Sequence, residues 1–180
     1  MLATFDLLYD NDAMSKKWTA LLLIGCGILF VLMALVYDVY EQKFKQINPA
    51  PLPGEVAGSP LEGGIYGGQA LAELSWMHGQ EFQLNQGAVG SYGEAALYVA
   101  GTPLSFLAKR MMVYMRDKIA GSETPYTLLN EMKYGSRTVY ELVGMGQQHY
   151  YFRSGNLVIW LTANEQVAEL ALQEALDFYP

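Results

Sequence analysis

The sequence predicts an α+β protein carried on one N-terminal transmembrane helix, and three observations lead there. Residues 18–37 form a run of 20 without Asp, Glu, Lys, Arg or His. Proline and glycine crowd residues 49–68. Beyond them, short stretches of apolar–polar alternation give way twice to segments with apolar residues at helical spacing. The expected architecture is an antiparallel sheet with two helices on one face, built as a duplicated ββ(β)α unit.

The apolar run accounts for an unusual composition. Only 16% of the 180 residues are charged, against about 25% in an ordinary soluble domain. As a helix, 20 residues span about 30 Å, the thickness of a bilayer's hydrocarbon core. Its Leu, Ile, Val and Phe side chains sum to about −5 kcal/mol on the insertion scale. Trp18 at one end and Tyr37 and Tyr40 at the other suit the headgroup level, so the span is placed at 18–40. A cleaved signal peptide fits poorly, because the run is long and has no A-x-A-like end. Leu23-Ile24-Gly25-Cys26 looks like a lipid-attachment box, but the apolar run continues well past Cys26. No GxxxG pairing supports helix dimerisation.

Lys16 and Lys17 flank one end of the run, Lys43 and Lys45 the other. The short tail 1–17 and the immediate lysine pair tip the balance toward a cytoplasmic N-terminus and an extracytoplasmic remainder. Met14-Ser15-Lys16-Lys17-Trp18 reads like a natural protein start, which makes residues 1–13 either a mobile tail or an upstream start-codon artefact. Residues 41–68 continue the helix briefly, stop at Asn48-Pro49, and then carry Pro49, Pro51, Pro53 and Pro60 among six glycines. Such composition predicts an extended tether lifting a domain, residues 69–180, off the bilayer.

Within that domain, alternation places strands at 71–77, 82–88, 95–100, 138–143, 149–154 and 157–162. A helix is expected from Thr102 as N-cap and Pro103 as first helical residue to Gly121. Its apolar stripe is Leu104, Leu107, Ala108, Met111, Met115 and Ile119. A second helix follows Asn164, with Ala168, Ala171, Leu172, Ala175, Leu176 and Tyr179 on one side. The blocks 93–102 and 155–164 match without gaps as glycine turn, buried strand with one aromatic, and helix cap. This match suggests repeats over 70–121 and 137–180.

Motifs for chemistry are missing. The net charge of −7 argues against nucleic acid, which calls for a basic stripe. One cysteine rules out an intramolecular disulfide and any multi-cysteine metal site. His78 and His149 lack the partners a zinc site needs, apart from a His78–Glu81 pair. No nucleophile elbow, HExxH, phosphate loop or dinucleotide fingerprint occurs, and no cofactor, metal or catalytic residue is assigned.

Two surfaces stand out instead. A two-residue turn at Gly155-Asn156 pairs Ser154 with Leu157, Phe152 with Ile159 and Tyr150 with Leu161 on a core face. The other face then carries Tyr151, Trp160, Arg153, Val158 and His149. That group is either covered core or an exposed interaction face with hot-spot chemistry. On the first helix, Lys109, Arg110, Arg116 and Lys118 form a basic face, either merely solvated or leaning on anionic lipid or an acidic subunit. The expected function is that of a single-pass cell-membrane protein with an extracytoplasmic interaction domain. It would bind a protein partner without catalysis, as an accessory or assembly subunit of a membrane or envelope complex. The alternative is a membrane-tethered sensor of a small ligand.

Overall fold

A computed structural model describes residues 9–78, 82–121 and 124–180. The N-terminal part of the predicted tail and the His78–Glu81 pairing lie outside the described residues. The chain divides into two compact units, Met1–Lys43 and Phe44–Pro180. The first is helix α1 (Tyr9–Lys45), which begins earlier and ends later than the predicted span. Its portion Lys16–Lys45 is long and apolar enough to cross a membrane, with a window of mean hydropathy 2.8. Large apolar side chains such as Leu22, Phe30 and Leu35 stand exposed all round it, as expected of a helix made for an apolar solvent.

Residues 46–66 are not the tether that their composition predicts. They form β1 (Asn48–Pro49), the hairpin β2 (Glu55–Val56) and β3 (Ser59–Pro60), and β4 (Gly63–Tyr66). Ala50 and Val56 are buried in the core. The proline carbonyls serve as acceptors: Tyr92 Oη donates to Pro53 O at 2.8 Å and Tyr179 Oη to Pro51 O at 2.7 Å. The Ala57 amide donates to Glu174 Oε2 at 2.5 Å. Proline is disfavoured in a central strand but suits the edge of a sheet, where its missing N–H costs nothing. A chain rich in proline has become a strap sewn along its own domain.

The remaining elements are α2 (Gly67–His78), β5 (Gln86–Tyr92), β6 (Ala95–Gly101), α3 (Ser105–Ala120), β7 (Thr127–Tyr134), β8 (Arg137–Gly144), β9 (Gln147–Ser154), β10 (Leu157–Ala163) and α4 (Glu165–Phe178). The segment read as a strand over 71–77 is the helix α2. It seats Ala70 and Leu71 against Gly87 so closely that a Cβ there would lie 3.1 Å from the Leu71 amide nitrogen. The strand expected at 82–88 lies four residues later, as β5. Thr102 does not cap α3. Its hydroxyl donates to Leu104 O at 2.8 Å, and the helix starts at Ser105 with Leu104 in extended conformation before it.

The class is α+β, with a mixed sheet in the order β1-β5-β6-β10-β9-β8-β7, β4 also pairing with β5. β1 runs parallel to β5 and every other pairing is antiparallel. The β9–β10 register has every pair derived from the Gly155-Asn156 turn. At the centre, β6 and β10 lie side by side with Tyr98 opposite Trp160, the two residues that the matched blocks make equivalent. The Thr102 amide donates to Asn156 O and the Asn164 amide to Glu94 O, at 3.0 and 3.1 Å, a reciprocal pair relating the same blocks.

That symmetry stops at the helices, which correct the one-face expectation. α4 packs with Leu97, Val99, Phe152, Ile159 and Leu161. α3 and α2 pack on the opposite face with Ala100, Tyr140, Leu142, Tyr151 and Val158. The reason is in the strands themselves: β6 and β10 are apolar on both faces. Burying a large apolar side chain is worth about 1.5–3 kcal/mol, so leaving either face bare would forfeit several such contributions.

Candidate functional site

The β9–β10 turn puts His149, Tyr151, Arg153, Val158 and Trp160 on the α3 face of the sheet. It brings all five together, but under cover. Tyr151, Val158 and His149 are 0%, 2% and 3% exposed, and Trp160 and Arg153 are half-buried. Tyr140, Tyr151 and Trp160 occupy one row across β8, β9 and β10. Their rings stack at 4.7 and 5.6 Å, with planes 14° and 11° apart. Tyr126, just ahead of β7, meets the His149 and Trp160 rings edge-on at 4.8 and 5.0 Å. The methionines of α3 close the cluster. The open interaction face is therefore corrected to core, because Tyr126 and α3 bury the apolar area that would have made it sticky.

His149 is held in one tautomer. Its Nε2 lies 3.0 Å from Gly144 O, and Nδ1 accepts from Trp160 Nε1 at 3.3 Å. This arrangement fixes the neutral tautomer with the proton on Nε2. Burial pushes the imidazole below its ordinary pKa, partly offset by the bond to Gly144. Arg153 donates to Gly155 O at 2.6 Å, bracing the turn.

The basic face of α3 divides in two. Arg116 pairs with Asp117 at 2.7 Å, and Lys118 sits 4.7 Å from the centre of the Tyr114 ring. Lys109 and Arg110 are exposed, on a helix that also exposes Phe106 and Val113.

Two features had no place in the sequence reading. One is the tip of the β8–β9 hairpin: Met145 is 75% exposed, its Sδ accepting from Tyr126 Oη at 3.7 Å. Met145 and Gly146 both have positive φ, at 52° and 79°, so the hairpin turn holds a methionine where Asn or Gly is normal. The other is a groove on the α4 face, where Met132, Tyr134, Glu141 and Tyr150 meet Glu169 and Leu172 of α4. Burial, and then Glu141, push the Tyr150 hydroxyl up to about 12. A signal for it was present: Val139-Glu141-Val143 sets a carboxylate in a row where alternation asks for an apolar residue. Among the described residues, no group of three His, Cys, Asp or Glu side chains could hold a metal ion.

No family model, curated protein or solved structure matches the chain.

Proposed function

We propose that the chain is a single-pass cell-membrane protein with a cytoplasmic N-terminus and an extracytoplasmic α+β domain that binds a protein partner without catalysis. It would serve as an accessory or assembly subunit of a membrane or envelope complex. The observation that carries this reading is the Lys16–Lys45 helix, whose exposed apolar side chains are stable in lipid and unfavourable in water. The lysine pair Lys16-Lys17 supports the orientation. The exposed Met145 at the hairpin tip supports protein binding. Met145 stays 75% exposed although its Sδ accepts from Tyr126 Oη at 3.7 Å, and exposed apolar side chains are available for contact.

The anchor and the orientation are tested together. The full chain is expected to stay in the membrane pellet after alkaline carbonate washing. A Ser136→Cys variant, changed in an exposed turn, is expected to react with an impermeant maleimide in intact cells, whereas the parent, with Cys26 alone, does not. Release into the carbonate supernatant would remove the anchor, and labelling only after lysis would reverse the topology. Met145→Asp is expected to abolish co-purification of the partner while the fold persists, since the turn gains a residue that tolerates positive φ. Unchanged co-purification would discard the tip as the contact.

A further inference from the structure

The two edges of the sheet end differently. The strap closes the outer side of β5 with β1 and β4, whereas β7 pairs with β8 alone among the described residues. An open edge strand offers its free backbone groups to another strand, and the β7–β8 hairpin determines which groups those are. Its two-residue turn, Gly135-Ser136 with Gly135 at φ 61°, joins Tyr134 to Arg137. Such a turn makes the flanking residues a hydrogen-bonded pair, and bonded and non-bonded pairs then alternate along the ladder. Met132–Val139 is therefore bonded, while Lys133–Thr138 and Glu131–Tyr140 are not. The amides and carbonyls of Glu131 and Lys133 consequently point away from β8, out of the sheet. Beyond them the register shift between Leu128 and Asn130 ends the regular segment.

The side chains of Glu131 and Lys133 are exposed on the α3 face, in the row of Tyr140 and Thr138. They lie 3.6 Å apart as an ion pair, and Lys133 also donates to Thr138 Oγ1. Charges on an edge strand commonly prevent pairing, so the pattern of signs decides what this edge can accept.

A second copy of the chain, approaching antiparallel about a two-fold axis, carries the complementary pattern. Pairing Glu131 with its own copy, or Lys133 with its own copy, sets like charges opposite each other, which is unfavourable. The register between these sets Glu131 of each copy against Lys133 of the other. There the outward backbone groups meet as hydrogen-bonded pairs. The axis passes through Met132, whose two copies face each other as a non-bonded pair on the α4 face, and Asn130 meets Tyr134. Opposite charges two residues apart thus disfavour the neighbouring registers and favour this one. A two-fold contact of this kind uses the open edge of both copies, so assembly closes at the dimer. We propose that β7 pairs with β7 of a second copy in this register, joining two sheets into one. The dimer goes beyond the anchored-subunit reading and requires neither the hairpin tip nor a contact through α1.

The test is sedimentation equilibrium of the full chain in density-matched detergent, where the parent is expected to show a monomer–dimer equilibrium. Glu131→Lys and Lys133→Glu each turn both charge contacts of the dimer repulsive and are expected to weaken it about tenfold. Circular dichroism checks that these exposed substitutions leave the fold intact. Mixed in equal amounts, the two variants are expected to form a heterodimer as tight as the parent dimer, because each charge again meets its opposite. The double variant Glu131→Lys/Lys133→Glu is expected to regain self-association. In a Cys26→Ser background, Met132→Cys is expected to form an intermolecular disulfide on mild oxidation, since non-bonded partners lie about 4.5 Å apart at Cα. Lys133→Cys in the same background is expected to form far less. A monomer at every concentration, a dimer indifferent to the single charge changes (as one held by α1 would be), or a mixture no tighter than its components would overturn the proposal. Crosslinking of Met132→Cys in native membranes only to a different polypeptide would overturn it too, and would give the edge to a foreign strand. None of these outcomes bears on the carbonate and maleimide experiments.

Discussion

Under α4 the sheet meets alanines, Ala168, Ala171 and Ala175, with Leu172 and Leu176; under α3 it meets three methionines, Met111, Met112 and Met115. The tyrosines differ in the same way. On the α4 face Tyr92 and Tyr179 each donate to a proline carbonyl of the strap. On the α3 side Tyr114 and Tyr151 have buried hydroxyls with no partner among the described residues. Small residues let a helix approach a sheet closely, and satisfied hydroxyls fix its position. Methionine adapts to irregular gaps and specifies little. One face is set by geometry and the other is filled by accommodation.

The largest expected effect probes that contrast directly. Ala171→Leu adds volume where α4 is fully buried and is expected to cost about 1–3 kcal/mol. Met111→Leu, equally buried, is expected to cost less than about 1.5 kcal/mol. Urea unfolding of the full chain in detergent, read by near-ultraviolet circular dichroism, compares the two. Equal costs would erase the distinction between the faces.

A smaller effect has opposite signs on the two sides. Tyr92→Phe strands the Pro53 carbonyl and is expected to destabilise by about 1–1.5 kcal/mol. Tyr151→Phe removes a hydroxyl that bonds nothing among the described residues and is expected to be neutral or stabilising in the same assay. The smallest effect is the pH dependence of the α3 side. His149 is neutral in the fold, its pKa lowered by burial, so below about 6.5 the unfolded chain binds the extra proton. Stability from this group is therefore intact above that pH and declines as pH falls toward the folded value. A His149→Gln variant is expected to flatten that slope.

Much of the sheet was legible because its central strands are short apolar runs and its turns are marked. The pairing of 149–154 with 157–162 follows from Gly155-Asn156 alone, and α4 follows from Asn164 and its alanine stripe. Which face each helix would cover was not legible, since β10 offers Ile159 and Leu161 to one side and Val158 and Trp160 to the other. α2 was masked by two leading glycines and a short apolar stripe. β7 was masked by the irregularity between Leu128 and Asn130, which breaks the alternation that identifies a strand. The aromatic cluster was found as a group but left open between covered core and exposed face, because alternation fixes which side chains share a face and not what lies over it; Tyr126 and α3 cover it. The groove escaped notice because Glu141 and Glu169 are 28 residues apart and meet only through the fold.

The strap has a practical side for anyone wishing to handle the α+β unit by itself. Cutting at residue 69, where composition suggests a boundary, would strip β1 and β4 from the outer edge of β5. It would remove Ala50 and Val56 from the interior and leave two phenols without acceptors. Such a fragment would present a bare strand to its neighbours and would be prone to self-association. A fragment that begins near residue 46 keeps that edge closed.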